Sequence, residues 1–224
     1  MKRFFSFAIL FIFIFSFRGY AQRSDFRPKF YFGAGGGVLF SMVDFVPNIP
    51  QGYRMGYHGG VSAKYISENH LGLIGEVNFA QRGWKEKFED NPDFSYSRTL
   101  NYLEIPLMTH VYFGKKVRFI FNAGPQISFL LSNASSMNEA LKNAVDAGKV
   151  EKTHQYAMPD RKFDYGLIGG IGMALKTGVG DFDLEGRFYF GLGDIFDSRI
   201  SSNSHFSRSA SRSIQAKLTY YMKL

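Results

Sequence analysis

Seven charged residues set among aromatic-rich segments, Glu76, Arg82, Glu104, Asp183, Glu185, Arg187 and Lys217, are the groups through which this 224-residue chain could do chemistry. Acids and bases mixed in this way suit either an ion path or a set of buried ion pairs, and the width of whatever encloses them decides which. Gly33-Ala-Gly-Gly-Gly37 looks like a phosphate cradle, but the third glycine of a dinucleotide fingerprint falls on Val38 or Phe40, and no helix follows. The five histidines, His58, His70, His110, His154 and His205, show no metal-ligand spacing and no helical pair. No Gly-x-Ser-x-Gly elbow occurs. His58, His154 and His205 are expected near an outer rim beside serines, the place for a lipid-modifying activity, although their spacing does not demand catalysis. The expectation is therefore no catalytic residue, no cofactor and no metal.

The elements that must position the seven charges are strands. From Asp181 to Leu192, Phe182, Leu184, Phe188, Phe190 and Leu192 alternate with Asp183, Glu185, Arg187 and Tyr189, a period of two that only an extended chain presents as two faces. Seven further segments repeat the alternation: Phe30 to Met42, Met55 to Ser67, Leu71 to Trp84, Thr99 to Phe113, Val117 to Leu131, Phe163 to Lys176 and Ser213 to Leu224. In all eight the apolar register carries no charged residue. The connections alternate between long (Val43 to Arg54, Lys85 to Arg98, Ser132 to Lys162, Gly193 to Arg212) and short (Glu68 to His70, Gly114 to Lys116, Thr177 to Gly180). An even number of such strands, with tight turns at one end and long loops at the other, predicts an all-β protein. The fold expected is an eight-stranded antiparallel up-and-down transmembrane β-barrel with four long extracellular loops.

An eight-stranded barrel is filled by its own side chains, so the seven charges are expected to plug the lumen as ion pairs. Glu76, Glu104 and Glu185 are placed at its middle against Arg187 and Lys217, with Tyr102 and Tyr189 adding bulk. The glycines of segment one would make room on the lumen face for large side chains. Pro106 and Pro125 each delete a ladder donor. A pairing sum of about 230 across the Gly114 to Lys116 turn places Pro106 opposite Gly124 and Pro125 opposite Ile105, as one wall bulge. In the third long loop, Ser136-Met-Asn-Glu139 reads as a capping box for a short helix that stops at Gly148. That helix serves either as a lid over the barrel mouth or as a partner-binding surface.

Composition agrees with this frame. Residues 1–21 pair Lys2 and Arg3 with an apolar run ending before Ala21, as in a secretory signal peptide, leaving residues 22–224 as the barrel domain. Zero cysteines exclude a disulfide scaffold. The net charge of +8 is dispersed along an exported chain, which argues against nucleic acid. Outer-membrane lipids, including lipopolysaccharide, and other envelope or secretion proteins are the partners to expect, for a chain expected to be a monomer.

Tyr102-Leu-Glu-Ile-Pro-Leu107, preceded by Gln81-Arg-Gly83 and followed by Asn122-Ala-Gly-Pro125 and the glycine strand Leu167 to Gly172, resembles the PorT-like outer-membrane β-barrel family of Bacteroidota. The resemblance covers the chain beyond the leader in order. It implies an eight-stranded outer-membrane barrel; the family's namesake assists a secretion system that exports proteases, but no motif here singles out that role. The final Leu224 departs from the aromatic that ends many such barrels. Four readings follow: a non-enzymatic structural or interaction barrel, an accessory component of a secretion system, and, as lesser alternatives, a lipid-modifying enzyme or a soluble lipocalin-like binder. The last conflicts with charges alternating on the inner face.

Overall fold

A computed structural model describes residues 26–149, 156, 158–197 and 206–223. The expected signal peptide, together with His154 and His205, lies outside the described residues. Eight long antiparallel strands form a closed ring: β1 (Lys29–Val46), β3 (Arg54–Glu68), β4 (Leu71–Glu86), β5 (Tyr96–Gly114), β6 (Val117–Met137), β7 (Phe163–Lys176), β8 (Asp181–Asp194) and β9 (Arg208–Lys223). A two-residue strand, β2 (Gln51–Gly52), lies in the first long loop against the end of β4. Each wall strand pairs with its neighbours in sequence, and β1 closes the ring on β9, with Tyr31 opposite Lys223 and Val46 opposite Arg208. Closure leaves the eight-stranded ring without a free edge.

The two faces follow the alternation. Phe121, Ile171, Leu184 and Leu218 are half exposed on the outside, while Glu76, Asn122, Asp183 and Lys217 are buried inside. Among the described residues no helix is long and apolar enough to cross a membrane. The short connections are tight turns at one end, and His70 adopts a positive φ of 71° in the first of them while its ring Nδ1 meets Tyr112 O at 2.8 Å. Gly33 illustrates the use of lumen-facing glycine: a Cβ there would lie 2.6 Å from the Tyr221 ring. Its Gly33–Gly37 run is continuous strand β1 and forms no phosphate loop.

Three expectations are corrected. The strands extend beyond their expected ends on the long-loop side, β1 to Val46, β5 back to Tyr96 and β6 on to Met137. Because Ser136 therefore pairs with Ser97 in the β5–β6 ladder, it cannot cap the helix. The helix, α1 (Glu139–Asp146), is capped instead by Asn138, whose Oδ1 accepts from Leu141 N at 3.2 Å, and it ends before Gly148 at φ 69°. Third, Pro106 lies opposite Gln126, and Pro125 is paired with Leu167 of β7. The register is unchanged on either side of Pro106, from Ile105↔Ile127 to Thr109↔Ala123, so the prolines interrupt the ladder without a bulge. The register shift in this pair of strands falls at Asn101 and Tyr102, where Leu131 is the extra residue.

Candidate functional site

Among the described residues the buried charges lie in the lumen, and they are arranged in layers. At mid-height, Arg187 of β8 grips Glu76 of β4 with both terminal nitrogens, Nη1 to Oε2 at 2.8 Å and Nη2 to Oε1 at 2.9 Å. The Arg187 Nε donates to Glu185 on its own strand. From β9, Lys217 Nζ reaches Glu76 Oε2 at 2.7 Å and Asn78 Oδ1 at 3.1 Å. Asn122 Nδ2 satisfies Glu185 Oε1 at 2.7 Å. Two carboxylates and two cations thus balance in a site where all four side chains are buried and each charge needs a partner.

Nearer the long loops, Arg82 of β4 forms a separate layer. It binds Glu104 of β5, Asp164 Oδ2 of β7 at 2.7 Å and Ser128 Oγ of β6 at 2.7 Å. Tyr102 and Tyr189 sandwich the guanidinium, with ring centroids 4.7 Å and 4.2 Å from its carbon. Nearer the short turns, Lys64 of β3 pairs with Asp183 of β8 and lies 3.6 Å from the centre of the Tyr221 ring. These cation–ring contacts add attraction where the competing solvent has been removed.

All seven sequence-predicted charges therefore face the lumen, but the structure does not bring them into one cluster. Glu104 belongs with Arg82, away from Glu76 and Glu185, and Asp183 belongs with Lys64. Lys64 and Asp164, the counter-ions of Asp183 and Arg82, are not among the charges singled out from the sequence; their polar register was the only signal for them, because partner choice depends on strand stagger. His58 is not at a rim. It is buried inside the wall, with Nε2 3.3 Å from Ala216 O. Among the described residues no cluster of His, Cys, Asp and Glu could hold a metal.

The model of a family described as outer membrane protein beta-barrel domain matches residues 20–197. The chain belongs to this outer-membrane β-barrel family. Comparison with curated proteins gives no match. Solved structures similar to the chain include Neisserial surface protein A, at 16% identity and TM-score 0.42, covering 85% of this chain and 96% of that one. The outer membrane protein OprG from Pseudomonas aeruginosa is similar at 9% identity and TM-score 0.46, over 87% and 96% of the two chains. The outer membrane enzyme PagL is similar at 10% identity and TM-score 0.40, over 85% and 97%.

For an outer-membrane barrel the long loops mark the extracellular end and the tight turns the periplasmic one. At the extracellular end the wall inverts its polarity. Within the membrane apolar residues face out, but beyond it Val43, Phe45, Trp84, Tyr96 and Leu100 face in, while Asp44, Lys85, Ser97 and Thr99 face out. The inward residues join Ile49, Leu141, Ile195, Phe196 and Phe206 in an apolar cap over the charged lumen. Phe45 packs edge-on against Trp84 with centroids 5.3 Å apart and lies 4.7 Å from Phe206. Leu141 is the residue by which α1 is anchored into this cap. A second apolar layer of Tyr31, Ile66, Tyr112, Ile120 and Tyr221 lines the periplasmic end.

Proposed function

We propose that this outer-membrane barrel is a closed, non-enzymatic structural or interaction protein that works through its extracellular loops. The observation that carries the reading is the filled interior: three layers of paired charge lie beneath an apolar cap, leaving the seven sequence-predicted charges a structural role as a lumen plug. An ion path needs charges that exchange partners with a passing solute, whereas these are held by fixed neighbours on several strands. A lipid-modifying role has less support, since His58 is turned into the lumen, away from lipid and the rim.

The finer assignment to a PorT-like secretion accessory rests on the Tyr102 to Leu107 resemblance. Each residue of that motif already has a place in the barrel: Tyr102 and Glu104 hold Arg82, Leu103, Ile105 and Leu107 face outward, and Pro106 interrupts the ladder. The motif therefore adds no separate support for a secretion partner.

The test is electrical. Purified protein reconstituted in a planar bilayer is expected to give no stable porin-like conductance. A steady ion-selective current from the unmodified protein would overturn the closed-lumen reading and put transport first.

A further inference from the structure

We propose that the outer wall at β7–β9 is a binding site for a phosphorylated, multiply acylated glycolipid of the outer leaflet, with Arg208 and Arg212 taking phosphate and the groove beneath them taking an acyl chain. The charged half lies where the wall inverts its polarity, the level at which lipid headgroups meet strands. Arg212 is opposite Met42, and Asp44 is opposite Ala210, two residues further out. Arg212 Nη2 and Arg208 Nε both reach the same carboxylate oxygen, Asp44 Oδ2, at 2.6 Å and 3.2 Å. One carboxylate between two guanidiniums leaves a positive excess, and among the described residues no other acid is paired with either. Both guanidiniums lie over the Phe190 ring, 5.7 Å and 5.2 Å from its centre, and their side chains remain 41% and 38% exposed. An ion pair on this wall that served only to fasten β1 to β9 would need a single arginine.

The apolar half is continuous with the charged half through Phe190. Phe190 is opposite Arg212 in the β8–β9 ladder, and Phe188 is opposite Ile214 one pleat below. Beneath the arginines is a groove of about 700 Å³, bounded by Leu167, Phe188, Phe190 and Ile214. Its floor is cut by Gly169 and Gly186, where an added Cβ would meet nothing nearer than 3.9 Å and 4.0 Å. A groove on the β3–β5 side of the barrel, around Ala63, Val77 and Leu107, is smaller at about 380 Å³. Above that one the outward positions are the neutral Gln81, Asn101 and Thr99, and the one arginine beside them, Arg54, is committed to Gln81 O at 3.4 Å and Thr99 Oγ1 at 2.7 Å, so it lacks a pair of guanidiniums. Cation above and alkyl-sized groove below, on a lipid-facing wall at the extracellular end, together specify an amphiphile with an anionic head. Two guanidiniums fit the geometry of phosphate oxygens better than that of a neutral headgroup.

The experiment is native mass spectrometry of the protein in mild detergent, titrated separately with lipid A carrying its phosphates, dephosphorylated lipid A, phosphatidylglycerol and inorganic phosphate. Folding of each variant is followed by the heat-dependent gel shift of a closed barrel. The phosphorylated lipid A is expected to bind most tightly. Replacing both arginines, Arg208→Gln with Arg212→Gln, should weaken it roughly tenfold and leave the dephosphorylated form unchanged. Gly186→Val, which fills the groove, should weaken both forms, and Asp44→Asn, which frees the guanidiniums, should tighten the phosphorylated form. If the arginine variant fails to fold, the last two substitutions carry the test in opposite directions. The proposal is overturned by unchanged retention in folded arginine or Gly186→Val variants. It is equally overturned if phosphatidylglycerol binds as tightly as lipid A, or if inorganic phosphate displaces the lipid.

Discussion

Arg187 has the most demanding position of any single residue, because three of its nitrogens are committed to two carboxylates deep in the lumen. Replacing it with alanine leaves Glu185 and half of Glu76 without their counter-charge, at a cost of roughly 3 to 5 kcal/mol. Arg187→Ala is therefore expected to lower the temperature at which the barrel loses its heat-dependent gel shift, without producing a conductance. A normal melting temperature, or an open channel, would contradict the assigned role. The presence of Arg187, Glu76 and Lys217 inside was legible in the sequence, since a two-residue period fixes facing. Their grouping was only partly so. Whether Glu104 meets Arg187 or Arg82 depends on how far neighbouring strands are staggered, and a one-dimensional pattern carries no stagger.

At the scale of the strand, facing has measurable consequences. Phe121, the fifth residue of β6, is 50% exposed on the face turned to lipid, and Val179 is 76% exposed in the β7–β8 turn. Phe121→Arg should impair insertion by about 2 to 4 kcal/mol, whereas Val179→Arg should assemble like the parent, as judged by the fraction of heat-shifted protein after refolding into lipid vesicles. Equal yields from the two would mean that β6 is turned by one residue. The ends of the strands were harder to read than their middles, and polarity inversion is the reason. Val43, Phe45, Tyr96 and Leu100 keep the period of two but reverse its sense, so a rule that apolar means outward stops at the membrane edge. The proline expectation failed by a similar margin: a pairing sum of 230 in place of 232 moved Pro106 from Gln126 to Gly124. Two residues of slip preserve every facing, which is why the error left no trace in the alternation.

At the scale of the whole molecule, the cap and the charged lumen are distinct obstacles. Leu141→Asp would place a carboxylate in the apolar cap and should lift α1, so that trypsin added to intact cells cuts faster after Lys142 and Lys149. Lys115, in a periplasmic turn, should remain protected, and conductance should remain absent because the ion-pair layers below are untouched. Cleavage at Lys115 before the loops would invert the topology. The layers also set the order in which the chain can enter a membrane. Glu76 meets Arg187 only 111 residues later in the chain, and Lys217 only 141 residues later. Until β8 and β9 arrive, β4 carries an unneutralised carboxylate that hydrocarbon would reject, as well as backbone groups without partners on a completed ring. The first strands cannot settle into lipid one at a time and wait. Insertion and closure have to be a single late event, which makes the carboxylate of Glu76 a timekeeper for assembly as well as a member of the finished wall.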